Sequence, residues 1–204
     1  IEFVKRKKAE GKIGKIGFSY HDDLATLEDF IGDFDWEFIQ LQPNYYDMER
    51  EDYKAEFELV KSKGIPVVVM EPVRGGFLAR TVPNAQKIIE ENYGENKSAA
   101  LALSYVNSLD GVFMVLSGMS NMAQVEDNIN TFNNPIPMDE KAEKVLKDVL
   151  AEINAFKVVD CTKCEYCMPC PMNINIPKVF ETYNKYEMFK SQWIVKDYLK
   201  EIEV

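Results

Sequence analysis

The sequence has little of what marks several large classes of protein. It contains a single histidine, His21, and its 24 lysines and arginines are outnumbered by 34 aspartates and glutamates, so the formal net charge is −10. That charge repels nucleic-acid phosphates and anionic lipid headgroups, so we expect neither a nucleic acid nor a membrane as partner. The longest apolar stretch, residues 65–73, is interrupted by Pro66 and Glu71 and falls far short of the roughly 20 residues of a membrane-spanning helix.

Export signals and spread-out cysteines are also lacking. Residues 1–12 have no apolar centre and no small-residue cleavage site, and the sequence does not begin with methionine, which hints at a fragment. All four cysteines lie within ten residues, whereas a disulfide framework joins distant segments. We therefore expect a protein of the reducing cytoplasm.

What the sequence does contain is an alternation of strand and helix patterns. Short apolar segments typical of buried parallel strands are found at 13–18, 38–42, 65–70 and 112–116. Segments between them carry apolar residues at helical spacing, which predicts the order β-α-β-α-β-α-α-β-α. Such repeated βα units indicate a parallel sheet, either open and doubly wound or part of a (β/α)8 barrel, which four strands alone cannot close.

The composition changes after a further amphipathic helix predicted at 140–156. The tail beyond it holds the cysteines, three prolines and two aromatic-rich stretches with helical patterns, at 179–189 and 194–202. We therefore predict two domains, residues 1–156 and residues 157–204.

The cysteine run C-T-K-C-E-Y-C-M-P-C-P predicts a metal centre held by Cys161, Cys164, Cys167 and Cys170. Consecutive C-x2-C steps ending in proline are typical of iron-sulfur ligation and favour a 4Fe-4S cluster. Zinc bound by four thiolates is an alternative, as are free or disulfide-bonded cysteines. In two-cluster ferredoxins the cysteine before proline binds the other cluster, so a three-cysteine site without Cys170 also stays open.

Polar or glycine-rich loops follow all four predicted strands, at 17–21, 40–45, 70–76 and 116–121. Ligands of parallel α/β folds bind at the carboxyl ends of the strands. The last loop leads into a helix near Met122, where free backbone N–H groups suit a phosphate, although an ordinary cap by Ser120 or Asn121 would use the same residues. The first loop contains His21, either a catalytic group or a simple loop residue.

Together these segments resemble the aldo/keto reductases, in the branch with a C-terminal ferredoxin-type iron-sulfur domain. EGKIGKIGFSYH is similar to the family's fifth-strand segment, FIQLQPNYYD to the sixth, VVVMEPVRGG to the seventh and LSGMSNMAQVEDN to the eighth with its nucleotide-binding loop. The segment from Cys161 to Pro177 resembles the iron-sulfur tail. The resemblance implies the C-terminal half of a TIM (β/α)8 barrel followed by a small helical iron-sulfur domain.

The resemblance also implies a cofactor site for NADP or NAD. It places Ser19 and Gln40 at the nicotinamide carboxamide and Arg74, Gly75 and Gly76 along the pyrophosphate. The residues that it places around the adenosine half are Ser117, Gly118, Gln124, Asp127 and Asn128. Family members that select NADP often have an arginine at the position of Gln124, so the choice between NADP and NAD stays open.

The implied function is hydride transfer between the nicotinamide cofactor and a carbonyl or quinone-like acceptor, with the cluster as electron relay. The family's catalytic Asp, Tyr, Lys and His belong to the first four strands, so no catalytic residue is assigned here and we expect the isolated chain to be inactive. The alternative is a non-enzymatic electron-transfer or cofactor-binding module completed by a partner chain, a redox protein or a second copy pairing through the open half barrel.

Overall fold

The computed structural model describes residues 1–49, 51–156, 159, 167–190 and 192–202, with the backbone alone at 188, 189, 201 and 202. The strands of this part form one parallel sheet, and the predicted parallel α/β fold is confirmed. In spatial order the strands are β1 (Gly17–Ser19), β2 (Phe38–Leu41), β3 (Val67–Val69) and β4 (Val112–Val115). The helices are α1 (Glu2–Ala9), α2 (Leu24–Asp33), α3 (Glu51–Ser62), α4 (Pro83–Tyr93), α5 (Ser98–Ser108), α6 (Met122–Asn133), α7 (Glu140–Ala155), α8 (Ile176–Phe189) and α9 (Gln192–Ile202).

The strand register brings the loops of the predicted site to one edge of the sheet. Ser19 is the partner of Gln40, and Val69 is the partner of Val115. The pairing continues just past the strands, where the backbone N–H of Leu116 donates to the carbonyl of Val69 at 2.8 Å. The carboxyl ends of the four strands therefore lie at nearly the same level of the sheet, so the loops that follow adjacent strands are neighbours.

The first strand is shorter than the predicted one, which began at Ile13. The backbone N–H of Ile16 donates to the carboxylate of Glu37 at 2.9 Å instead of to a neighbouring strand, and regular pairing begins at Gly17. The Lys8 ammonium, followed by that N–H, lowers the pKa of Glu37 to about 2. The carbonyl of Ile16 still accepts from the backbone N–H of Glu37 at 2.9 Å, so Glu37 bonds to Ile16 through both its backbone and its side chain.

Glycine is required at the start of β1 by a close approach from β2. A Cβ added to Gly17 would lie 2.7 Å from ring carbons of Phe38, which is closer than carbon atoms pack. The Phe38 ring thus covers Gly17 directly, and this packing fixes β1 against β2.

The prediction that all four strands are buried on both faces is right for β3 alone; β2 alternates half-buried and buried residues, β1 ends on an exposed residue, and the two middle residues of β4 are exposed. Every residue of β3 is buried, whereas Phe113 and Met114 of β4 are 69% and 47% exposed. Within the described residues β4 pairs with β3 alone, so one side of the strand lacks the neighbours that would cover these side chains.

Two hydrophobic clusters support the sheet. The strand cluster joins β2 and β3 to α2, α3 and α5; its buried members are Tyr20, Leu27, Ile39, Leu41, Phe57, Val60, Val67, Val69 and Val106. The helix cluster joins α4, α5 and α7; its buried members are Tyr45, Leu78, Val82, Ala85, Ile89, Leu101, Ala102, Val145, Leu146, Val149, Leu150 and Ile153. The stripe predicted for α7 is thus confirmed, and it packs against α4.

In the tail, α8 begins at Ile176, three residues before its predicted start at 179. The side chain of Asn175 accepts from the backbone N–H of Lys178 at 3.2 Å, and Pro177 lies in the first turn, where a missing N–H costs nothing. Of the helices described, none is both long and apolar enough to cross a membrane. The domain boundary near residue 156 stays a prediction.

Candidate functional site

The site predicted for the nicotinamide end lies at the ends of β1 and β2. Ser19 and Gln40 are register partners, and partners in a ladder project to the same face. The amide nitrogen Nε2 of Gln40 lies 3.2 Å from Sδ of Met70, the first residue after β3. Both predicted side chains are therefore at the carboxyl edge, with Met70 beside them.

The loop after β3 is built from consecutive tight turns. Glu71, Arg74, Gly75 and Gly76 all have φ between 50° and 89°, in the left-handed region. Two of them are not glycines, and a side chain in this region costs about 1 kcal/mol or more. The loop keeps this conformation because its turns are hydrogen-bonded, for example from the N–H of Arg74 to the carbonyl of Glu71 at 2.8 Å.

Arg74 is held at one end and exposed at the other. Its Nε lies 3.1 and 3.0 Å from the two carboxylate oxygens of Asp47, in the loop after β2. Its guanidinium carbon lies 4.7 Å from the ring centre of Tyr46 and 6.0 Å from that of Phe77, within cation-π range. The Arg74 side chain is 45% exposed, and no hydrogen bond of its terminal nitrogens is formed with the described residues.

Asp47 is in turn fixed by Asn44, which is fully buried. The side-chain amide of Asn44 donates to the Asp47 carboxylate at 2.8 Å, and its oxygen accepts from the Asp47 backbone N–H at 2.9 Å. This reciprocal pair closes the turn Asp47–Glu49, a short 3-10 helix. The loop after β2 thereby presents a carboxylate to the loop after β3.

The predicted phosphate ligand Gly75 already binds an anionic group of the chain. Its backbone N–H donates to the carboxylate of Glu71, four residues earlier. An N–H that points at a carboxylate can also point at a phosphate. A phosphate at this position would have to displace Glu71.

The loop after β4 is organised around the start of α6. Asn121 caps the helix by accepting from the N–H of Gln124 at 3.0 Å, and the Gln124 side chain accepts from the N–H of Ser120 at 2.7 Å. The sequence left Ser120 and Asn121 as alternative caps of this helix, and in the structure the cap is Asn121. Asn128 donates to the Ser117 hydroxyl at 2.8 Å.

Five predicted adenosine residues are therefore grouped on one short segment, although Gln124 is engaged in the cap. Gly118 is exposed, with open space around it, and Asp127 is half-buried on the same helix. They lie in the loop after β4 and on α6, and Arg74 lies in the loop after the neighbouring strand β3.

At the other end of the edge lies a cavity of about 310 Å³ between the loop after β1 and α3. Its lining residues are Tyr20, His21, Asp22, Asp23, Leu24, Leu41, Gln42, Pro43, Met48, Asp52, Tyr53, Glu56 and Phe57. Four of these are carboxylic acids, so the cavity disfavours phosphate. His21 is exposed at its wall.

The two tyrosines at strand ends are poor candidates for acid catalysis. Burial, followed by the Asp22 and Asp23 carboxylates, raises the pKa of Tyr20, whose hydroxyl donates to the carbonyl of Asp23. Burial also raises the pKa of Tyr45, which is 2% exposed. A raised pKa makes each phenol a weaker proton donor than an ordinary tyrosine.

Asp47 and Glu71 are two residues of the site that were not predicted from the sequence. Asp47 had a detectable signal, since Asn44 and Asp47 have the i, i+3 spacing of a capping box ahead of a helical pattern. Glu71 had none, because its contact with Gly75 depends on the left-handed conformation of the loop.

Two of the four cysteines of the metal prediction are not among the described residues. Cys161 and Cys164 lie outside the described residues; Cys167 is exposed and Cys170 half-buried, both as free thiols. Among the described residues no group of three or more His, Cys, Asp or Glu side chains could hold a metal ion.

Solved structures with the same fold are aldo-keto reductases. One is AKR11C1 from Bacillus halodurans in its holo form, with 24% identity and a TM-score of 0.58 over 73% of this chain and 54% of that protein. Another, from Klebsiella pneumoniae in complex with NADPH, has 16% identity and a TM-score of 0.57 over 73% of this chain and 52% of that protein. The chain spans about half the length of these structures.

Comparison at the level of sequence identifies the family of the chain. Comparison with curated proteins found no match. The sequence profile of the Aldo/keto reductase family matches residues 1–145, which include the sheet and the loops at its carboxyl edge. The chain therefore belongs to the aldo/keto reductase family.

Proposed function

We propose that this chain supplies the cofactor-binding part of an oxidoreductase that moves hydride between NADP or NAD and a carbonyl or quinone-like acceptor. The observation that carries this is Arg74 in the loop after β3, fixed through Nε by Asp47 and with its side chain 45% exposed, in a chain of this family. On a surface of net negative charge, such a fixed cation is a local site for a pyrophosphate.

Each cofactor residue then has a separate task. Arg74 and the N–H groups of Gly75 and Gly76 hold the pyrophosphate; Ser117, Gly118, Gln124, Asp127 and Asn128 surround the adenosine half. Ser19 and Gln40 hold the carboxamide and so orient the nicotinamide ring. The nicotinamide itself supplies the hydride.

Titration of the 204-residue protein with NADPH and with NADH tests this proposal. Wild type should quench or shift nucleotide fluorescence with saturation, and Arg74→Met should weaken binding at least tenfold because a charge-assisted contact is lost. Lys63→Met is the matched control, since Lys63 is exposed just before β3, at the opposite edge of the sheet. No saturable binding of either nucleotide would contradict the proposal.

We also propose that the isolated chain turns over no carbonyl substrate, because the family's Asp, Tyr, Lys and His come from strands that it does not match. The assay is NADPH-dependent reduction of a simple aldehyde by the purified 204 residues. Measurable turnover that Arg74→Met abolishes would overturn this part.

For the tail we propose a 4Fe-4S cluster on Cys161, Cys164, Cys167 and Cys170 as a single-electron relay, as in the iron-sulfur branch of the family. The described thiols are compatible with it, since Cys167 and Cys170 lie outside helices and are free. Asn184 of α8 binds both the N–H and the C=O of Val159, at 3.0 and 2.7 Å, which ties the start of the cysteine segment to that helix.

Iron and sulfide analysis after anaerobic purification tests the cluster. Wild type should be brown, with about four irons per chain, and Cys170→Ser should lose iron as Cys161→Ser does. Unchanged cluster content in Cys170→Ser would favour the three-cysteine site. A colourless protein containing zinc would overturn the iron-sulfur assignment.

A second candidate is a non-catalytic module completed by a partner chain, favoured by the exposed Phe113 and Met114 on β4. Unpaired strand edges with apolar side chains promote association. Size-exclusion chromatography with light scattering should then show an oligomer that Phe113→Glu dissociates. A well-behaved wild-type monomer would argue against it.

A further inference from the structure

Asn44 uses its complete hydrogen-bonding capacity in the loop after β2. Its Nδ2 donates to the carbonyl of Gln42 at 3.2 Å and to the Asp47 carboxylate at 2.8 Å; its Oδ1 accepts from the N–H groups of Tyr46 at 3.1 Å and Asp47 at 2.9 Å. An amide side chain has two donors and two acceptor sites. Asn44 is fully buried, so these bonds fix the position of the Asp47 carboxylate.

Asp47 connects the loop after β2 to the loop after β3. Its carboxylate is 10% exposed and meets Nε of Arg74, 27 residues away in sequence. Tyr46 adds its ring to the guanidinium face. Arg74 is thus restrained at Nε and at its face, while the terminal nitrogens remain available to a ligand.

We infer that Asn44 and Asp47 are positioning residues, which act through Arg74 to fix its terminal guanidinium nitrogens for an anionic, phosphate-bearing ligand. This rests on the proposed function, in which that ligand is the cofactor pyrophosphate. A restrained arginine loses less side-chain freedom on binding than a free one, so the restraint strengthens binding without touching the ligand.

The direction in which Asp47→Asn changes ligand affinity distinguishes a positioning role from a purely electrostatic one. Asp47→Asn removes a negative charge beside Arg74, which by Coulomb attraction alone would tighten the binding of an anion. If Asp47 positions Arg74, the same substitution weakens NADPH binding, by about fivefold. Asn44→Ala changes no charge and should weaken it by a similar factor.

The experiment is a double-mutant cycle on the 204-residue protein, with NADPH and inorganic pyrophosphate as probes. In the Arg74→Met background, Asn44→Ala and Asp47→Asn should have no further effect, because they act through Arg74. A loss that persists in this background would show a merely structural role. Tighter binding by Asp47→Asn would also overturn the inference.

A measurement without ligand keeps the inference separate from the proposed function. The Nε–H of Arg74 should give a slowly exchanging nitrogen-15 NMR signal in wild type, which Asp47→Asn and Asn44→Ala weaken or abolish. An unchanged signal in both folded variants would overturn the positioning role. A protected signal in a protein that binds pyrophosphate but no nucleotide would instead contradict the proposed function alone.

Discussion

The two ends of the carboxyl edge differ in charge. At the ends of β1 and β2, four carboxylic acids line the cavity. The loop after β3 contains Arg74, whose side chain is 45% exposed, and the loop after β4 contains Gly118, which has open space around it. An anionic ligand is disfavoured at the first end and has both a cation and room at the second.

Two buried tyrosines in the loops after β1 and β2 differ in whether their hydroxyls are hydrogen-bonded. Tyr20, in the strand cluster, has its hydroxyl bonded to the carbonyl of Asp23. Tyr45, in the helix cluster, has a buried hydroxyl with no hydrogen-bond partner among the described residues.

The largest expected effect comes from the two glycines. Gly17→Ala should lower the free energy of unfolding by about 1–3 kcal/mol, because its methyl group would collide with Phe38 and a packed face cannot expand. Gly118→Ala should change it by about 0.5 kcal/mol or less, since a Cβ there meets open space and φ is not in the left-handed region. Urea denaturation followed by circular dichroism measures both; equal losses would contradict the close approach of Phe38 to Gly17.

A smaller effect, of opposite sign, is expected from the two tyrosines. Tyr45→Phe should stabilise the protein by about 1 kcal/mol, because it removes a buried hydroxyl without a partner. Tyr20→Phe should destabilise it by about 1 kcal/mol, since it removes a made hydrogen bond and leaves the carbonyl of Asp23 without that donor. The shift of the urea midpoint relative to wild type measures both effects. Destabilisation by Tyr45→Phe would contradict the expectation, because it would indicate that the Tyr45 hydroxyl makes a hydrogen bond in solution.

The smallest effect concerns the charge contrast. Glu71→Gln should tighten NADPH binding by about threefold, because a neutral amide competes less than a carboxylate for the N–H of Gly75 and does not repel phosphate. Asp22→Asn removes the same charge at the other end and should change affinity less than twofold. Weaker binding by Glu71→Gln would mean that its carboxylate helps to hold the loop in its binding conformation.

Much of the fold could be predicted from the sequence because its signals are local. Apolar runs at 38–42 and 65–70 identified β2 and β3, and the spacing of Val145, Val149 and Ile153 identified the buried stripe of α7. Boundaries that depend on one side chain from elsewhere were less accurate. Regular pairing of β1 starts later than predicted because the N–H of Ile16 bonds to the Glu37 carboxylate. The side chains of β4 are exposed because β4 pairs with β3 alone among the described residues, and the position of a strand in its sheet cannot be read from the residues of that strand.

The candidate site divides in the same way. The strand-end loops, with Ser19, Gln40 and Arg74, could be located because parallel strands of regular length bring their carboxyl ends together. The contacts of Asp47 with Arg74 and of Glu71 with Gly75 could not, because each needs a side chain to meet a specific loop conformation.

By itself the sequence determined the parallel α/β architecture, the glycine-rich loops at one edge and the spacing of the four cysteines. Only the tertiary structure decided that Asn44, Asp47 and Arg74 form one connected set and that the two ends of the edge differ in charge. The physical reason is that propensity and periodicity act between residues close in sequence, whereas Asp47 and Arg74 meet only because β2 and β3 pair in register.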